Sequence, residues 1–267
     1  MLSRDQRADV AHETRSYFSE ILENCGKELK EGIKNTTFYE KTDPLPPNKT
    51  PVQTQTRLIY GDTINVAIQM KEDGFNPCVL NFASEVHAGG GWLKGAIAQE
   101  EALFLRSTYD MSLSDRMRID KKRRWSYPIP TLGGIYSPKV LVFRDDENND
   151  YKVWKYKDCV YLDFVAVAAI RQPKLKSGHF SERDANITRE KMKTIFRIAY
   201  LHGHDSLLLG AFGCGAFYNP PEDVASLFLQ VMNDPEFKDR FCQINFAILD
   251  NSRSDNYTVF KRVLNTA

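Results

Sequence analysis

Residues 78–101 read CVLNFASEVHAGGGWLKGAIAQEE. A compact apolar run, CVLNFA, is bounded by Pro77 on one side and a polar loop on the other. Three glycines follow, then seven residues, then Gln99, Glu100 and Glu101 inside a stretch from Ala96 to Tyr109 that reads as helical. Outward from this strand, loop and helix, the same alternation recurs. Arg57–Tyr60 reads as a short strand and Asp62–Lys71 as a helix. KVLVF (139–143), CVYLDFVAVA (159–168), SLLLGA (206–211) and QINFAIL (243–249) are buried-type strands. Met192, Ile195, Phe196 and Ala199 share one helical face, Val224 to Met232 form an apolar stripe opened by Pro221, and residues 256–264 close the chain as a helix. Continuously apolar short strands between amphipathic helices imply an α/β fold with a mostly parallel sheet covered on both faces. Ligands of such sheets bind beyond the carboxyl ends of the strands.

The chain has 267 residues, is 42% hydrophobic and 27% charged, and carries a formal net charge of +1. This suits a soluble globular protein and excludes a generic nucleic-acid clamp, which needs excess Lys and Arg. The basic run Lys121-Lys122-Arg123-Arg124 reads first as solvated surface, with a polyanion contact as the alternative. Five dispersed cysteines without a CxxC pair suggest reduced thiols in the cytoplasm or nucleus. The charged N-terminus has no apolar signal core, and no apolar run approaches membrane-spanning length. The histidines show no ligand spacing, and His202 and His204 have no evident cysteine or acid partner, so neither metal nor cofactor is called for.

Val10, Ala11, Tyr17, Phe18, Ile21 and Leu22 lie on one face of an N-terminal helix, with Ser3 and Gln6 as a capping box. Residues 26–55, with four prolines, read as an irregular connection.

A second glycine loop, GAFGCGAFYNPP (210–221), also follows an apolar run and precedes a helix. Two such loops can grip a diphosphate from both sides, since glycine lets backbone amides turn towards an anion. Tight turns and close packing are the competing explanation. Neither loop is a P-loop or a clean GxGxxG fingerprint. Glu100 and Glu101 point about 100° apart on a helix, so they serve different ends: one to hold a hydroxyl and one to face a reacting bond, or both merely to complement the helix dipole. Cys214 has no histidine close after it to act as base, which favours a small loop thiol over a nucleophile. His87 and Trp92 either touch ligand or shield the loop, and Phe212 either lines the site or packs in the core.

The triplet of glycines, seven residues and QEE, in the setting NFAS…HAGGGWLKGAIAQEEALFLRSTY, resembles the signature of poly(ADP-ribose) glycohydrolases of the short bacterial-type (microbial) branch. RADVAHET, GDTINVA, NFAS and GAFGCGAFYNPP follow in the family's order, so the resemblance covers most of the chain. It implies a macrodomain-like three-layer α/β/α sandwich spanning 1–267 as a single catalytic domain, with 1–55 packed on it. It implies hydrolysis of ribose–ribose bonds in poly(ADP-ribose), expected from chain ends. It places the catalytic acid at Glu101, with Glu100 and Asn81 on the distal ribose. Gly89, Gly90 and Gly91 would approach the diphosphate from one side, and Gly213, Cys214 and Gly215 from the other. Phe217 would orient the distal ribose and Asp62 accept from the adenine amino group; Gln99 and Ala216 complete the substrate-binding set. The partners implied are poly(ADP-ribose), ADP-ribose and ADP-ribosylated proteins, acted on by a monomer with no direct nucleic-acid binding. A non-catalytic ADP-ribose reader and a mono-ADP-ribosyl hydrolase remain alternatives. The loop from Glu85 to Ala88 is more polar, and the stretch from Met111 to Arg124 more charged, than the family pattern suggests.

Overall fold

The computed structural model describes residues 2–250, 252 and 254–264. Seven strands form one sheet: β1 (Thr37–Tyr39), β2 (Gln55–Tyr60), β3 (Pro77–Phe82), β4 (Gly134–Val142), β5 (Val160–Val167), β8 (Ser206–Leu209) and β9 (Gln243–Ile248). A small ribbon pairs β6 (Leu175–Lys176) with β7 (His179–Phe180). The sheet order is β1-β4-β5-β3-β8-β9-β2. The five strands from β5 to β2 run parallel, and β4 and β1 add an antiparallel edge. The inner parallel strands β3, β8 and β9 are buried almost or entirely along their length because both faces are covered, whereas the edge strand β2 is partly exposed.

The helices are α1 (Arg4–Ser16), α2 (Phe18–Asn24), α3 (Gly26–Lys34), α4 (Thr63–Glu72), α5 (Gln99–Arg106), α6 (Tyr109–Ser114), α7 (Glu182–Leu201), α8 (Pro221–Asn233) and α9 (Asn256–Leu264). Met192, Ile195, Phe196 and Ala199 of α7 and the apolar stripe of α8 fill the core on one face of the sheet. Ile64, Ala67 and Met70 of α4 and Leu103 and Phe104 of α5 fill it on the other. No described helix is long and apolar enough to cross a membrane.

The N-terminal region departs from the sequence reading. The capping box at Ser3 and Gln6 forms, but the helix breaks at Tyr17. The break lets two apolar sets reach different targets: Ala11 packs with Trp92 and Phe104, while Phe18 and Ile21 turn to Leu29, Ile33 and Phe143. Residues 26–55 are not wholly irregular; they hold α3 and the edge strand β1. Gly32 of α3 lies so close to β4 that a Cβ there would meet the Pro138 carbonyl oxygen at 2.4 Å. The stretch from Ala96 to Tyr109 is also not one helix. Ala98 is extended before α5, and Ser107 is extended before α6.

Helix α1 is fastened over the glycine loop by polar contacts. Arg4 Nε donates to the Lys94 carbonyl at 2.8 Å and Arg7 Nε to that of Gly95 at 3.1 Å. Thr14 Oγ1 donates to the Leu105 carbonyl at 2.7 Å, and buried Arg144 donates to Thr14 and Glu13. Arg15 pairs with Asp110 at 2.8 Å and lies over the Trp92 ring. The seat of α1 requires Gly95, whose φ is +69° and whose added Cβ would stand 1.9 Å from the Arg4 carbonyl oxygen. Left-handed strain and displacement of α1 together cost about 2–3 kcal/mol, so Gly95→Ala is expected to lower Tm by roughly 4–10 °C in scanning calorimetry.

Candidate active site

The site begins where β3 and β8 part. Their pairing ends at Val79 and Leu208, which leaves the edge of β3 open at Leu80 and Phe82. Gln99 closes it: its Nε2 donates to the Leu80 carbonyl at 2.7 Å and its Oε1 accepts from Phe82 N at 2.9 Å. Both ends of the Gln99 amide are thus spent on backbone. The residue expected to touch substrate instead docks the first turn of α5 onto the end of β3, and this docking sets where the next two side chains go.

Glu100 is 3% exposed and Glu101 8%. Glu100 turns inwards. Its Oε2 accepts from Ser84 N at 2.8 Å, and its Oε1 accepts from Asn81 Nδ2 at 3.3 Å and from Gly89 N at 3.2 Å. Glu101 accepts from Gly91 N at 3.0 Å through Oε1, and its Oε2 has no partner among the described residues. The two neighbours therefore serve different ends, as their angular separation requires. Burial, with the nearby charge of Glu101 adding to it, pushes Glu100 up to about 8, although the Ser84 and Gly89 amides and the Asn81 side chain pull the other way.

The glycine triplet is wrapped around this pair. Gly90 has φ +54°, and a Cβ there would stand 2.6 Å from Glu101 Oε1 and 3.2 Å from Glu100 Oε2. A Cβ on Gly89 would meet Phe104 at 2.5 Å. The amides of Gly89 and Gly91 serve the acids, and that of Gly90 donates to the His87 carbonyl at 3.1 Å. All three amides expected to greet an anion are therefore taken up inside the protein, two by carboxyl groups and one by a backbone carbonyl.

The second loop is the complement. Asn219 pins it: its Nδ2 donates to the carbonyls of Ile170 at 2.7 Å and Gly213 at 3.0 Å, and its N–H also reaches Gly213. Gly213 has φ +75°, and a Cβ there would stand 2.6 Å from Ala169 Cβ. Among the described residues, the amides of Gly213, Gly215, Ala216 and Phe217 have no acceptor. They precede α8, whose N-terminus favours negative charge. The Phe217 ring is half-buried, with Arg171 6.0 Å above it. Burial pushes the Cys214 thiol well up, against a nucleophilic role.

Asp62 caps α4, with Oδ1 accepting from Ile64 N at 2.9 Å and Asn65 N at 3.1 Å. The same oxygen receives buried Arg106 Nη1 at 2.6 Å; Oδ2 has no partner among the described residues. Trp92 is 2% exposed and shields the loop, whereas His87 is exposed. Phe212 belongs to the core, against Phe82 and Phe228. His204 does have an acid near it: Asp163 lies 3.6 Å away, and Tyr136 Oη contacts both. Among the described residues no His, Cys, Asp and Glu come together as a metal site. Sequence reasoning missed Ser84, Asn219 and Arg106. Asn219, just before the proline pair that opens α8, carried the clearest available signal.

A three-layer α/β protein with a buried acid pair at one strand end and an open amide cradle at the next has the layout of an anion-accepting site equipped for acid–base chemistry. The family described as microbial-type PARG, catalytic domain, matches residues 11–145, just over half of the chain, and the chain belongs to that family. Solved structures agree. Poly(ADP-ribose) glycohydrolase from Thermomonospora curvata, bound to the inhibitor ADP-HPD, is 27% identical with a TM-score of 0.75, covering 96% of this chain and 98% of that one. The enzyme from Deinococcus radiodurans, in complex with ADP-ribose, is 25% identical with a TM-score of 0.66, covering 90% of this chain and 91% of that one. No curated protein matches by sequence search.

Two outcomes follow from the geometry. Gly90→Ala pushes Glu101 from its seat; a displacement near 1 Å is expected to lower kcat/KM about 100-fold, measured by product release, while the fold persists in circular dichroism. For Glu100, the folded value of about 8 lies above the ordinary 4.5. Between those values the folded protein keeps a proton that the unfolded chain loses, so this side chain costs stability as pH rises through the window. Glu100→Gln abolishes the cost. Beside a pH-independent offset from its new amide, its stability relative to wild type should improve by on the order of 4 kcal/mol from about pH 5 to about pH 9, read from denaturant melts.

Proposed function

We propose that this chain hydrolyses the ribose–ribose O-glycosidic bonds of poly(ADP-ribose) as one catalytic domain, releasing ADP-ribose from chain ends, with Glu101 as the acid–base group. The observation that carries this reading is the division of labour in the acid pair. Glu100 accepts three N–H bonds through both oxygens, while Glu101 keeps one carboxyl oxygen uncommitted. Membership of the family and the ADP-ribose and ADP-HPD complexes of its relatives support the substrate class.

The diphosphate lies against the amides of Gly213, Gly215, Ala216 and Phe217, facing the flat surface of the glycine triplet. The distal ribose reaches the end of β3, where Asn81 and Glu100 meet its hydroxyls and Phe217 packs on it. The adenine lies towards Asp62, whose Oδ2 is free to accept. Glu101, protonated, donates to the ribose oxygen that leaves as the anomeric C–O bond breaks through an oxocarbenium-like state. As carboxylate it then takes a proton from the water that attacks the anomeric carbon. The products are ADP-ribose and a polymer one unit shorter, and Glu101 is protonated again. Burial holds the Glu100 pKa up, which limits a second negative charge beside the one that Glu101 acquires. Adjacent residues of one helix cannot flank a bond from opposite faces, so a single acid–base group suits this site better than a conventional glycosidase pair.

Glu101→Gln is expected to bind ADP-ribose within about threefold of wild type while turnover on purified polymer falls about 10²–10⁴-fold, measured by calorimetry and by chromatography of products. Retained turnover would remove Glu101 from the role. Binding without turnover in the wild type would favour a reader, and release from singly modified proteins alone would favour a mono-ADP-ribosyl hydrolase.

A further inference from the structure

The basic run 121–124 lines an open groove of about 760 Å³ at the β1 edge of the sheet, together with Lys34. Lys34, Lys121, Lys122 and Arg124 are exposed. Among the described residues none of them has an acidic partner at ion-pair distance. Arg123 is different: it turns inwards over the Trp125 ring, 4.1 Å from its centroid, and donates to the Ser112 carbonyl. The lining is held in place, since Trp125 stacks on Phe38 of β1 with centroids 5.4 Å apart. Asp120 also lines the groove, and its Oδ1 is occupied by Lys122 N at 2.9 Å. The result is four cations without an acidic partner among the described residues, Arg124 donating only to the Lys121 and Arg123 carbonyls, beside one engaged acid.

The same segment runs from this groove to the acid pair. Tyr127 buries its hydroxyl close enough to Glu100 for that charge to act on it, and Ile129 N donates to the Glu85 carbonyl at 2.8 Å, beside the glycine loop. Arg124 and Tyr127 are three positions apart, a span of at most about 10 Å. β1 stands three strands from β3, about 14 Å at ordinary strand spacing. Direction matters as well. In the reading above, adenine lies towards Asp62, at the β2 edge, and the distal ribose at β3. The rest of a polymer leaves the site beyond that ribose, away from adenine, on the side of β5, β4 and β1.

We infer that this groove binds the phosphates of the poly(ADP-ribose) units beyond the one being released, and so confers a preference for long chains. The inference rests on the proposed hydrolase reading for its direction. A diphosphate recurs in every unit, so a patch of unpaired cations gains contacts with length, whereas the pocket itself takes one unit only. Nucleic acid offers similar phosphates but has no reason to approach along the line of the acid pair.

The test is the triple variant Lys121→Glu/Lys122→Glu/Arg124→Glu, with a triple Gln variant beside it; Arg123 is left intact because it supports the fold. KM and kcat are measured on size-fractionated polymer and on the ADP-ribose dimer. Binding of long polymer is measured separately in the Glu101→Gln background. On long chains, KM is expected to rise about tenfold for the Glu variant and about threefold for the Gln variant, with the salt dependence of log KM reduced by about 2 in slope. On the dimer, KM stays within twofold, and kcat is unchanged on both. Equal KM changes on both substrates, or none, overturn the proposal, as does single-stranded RNA that competes with polymer at equal affinity and loses binding in the same variants. A wild type that releases no ADP-ribose from any substrate sinks the hydrolase reading alone. Polymer binding in the Glu101→Gln background then still decides the groove: a loss on charge reversal supports it, and no loss overturns it.

Discussion

Two neighbouring carboxyl groups are buried side by side at the head of α5, and the rest of the site is arranged around that fact. An ionised carboxylate taken out of water costs several kcal/mol unless it is met by donors. Here the donors are mostly backbone amides, from Ser84, Gly89 and Gly91, supplemented by Asn81. Backbone donors come into range only if the chain passes very close, and Gly90 is where it does so. The glycine run is thus first a mould for the acids and only then a floor for a ligand.

That mould has to be held rigidly, and the N-terminal region does much of the holding. Helix α1 bonds the carbonyls of Lys94, Gly95 and Leu105, on either side of the acid pair. Arg144 reaches from the sheet to Thr14 and Glu13, and Arg106 reaches from α5 to Asp62 and Asn65. These guanidinium forks join elements far apart in sequence, and each satisfies several acceptors at once. The N-terminal helix is therefore a structural wall of the site rather than an independent arm.

The two glycine loops divide the chemistry between them. One has spent its amides on carboxylates; the other keeps four amides open in front of α8. The first loop is therefore committed to the acid pair, and the second supplies the positive potential an anion needs.

The amino-acid sequence determined the layer architecture, because unbroken apolar strands between amphipathic helices have one economical packing. It also determined the acid pair and the second loop, because short-range spacing places them at strand ends. The carboxyl ends of the strands read from the sequence, and helices α8 and α9, were legible to within a few residues, whereas α7 was legible only as the face 192–199 and β4 begins five residues before the run 139–143. The roles of Gln99 and of the glycine amides were not, since both depend on where β3 and β8 stop pairing, a non-local event. The same holds for α3 and β1, whose polar, short segments gain their structure only against β4. His204 acquired its Asp163 neighbour across 41 residues of chain for the same reason. Which of the two acids would be held by three donors and which left with a free oxygen was decided by tertiary structure alone. Helix geometry says only that adjacent side chains diverge, and the docking of α5 through Gln99 chooses the direction.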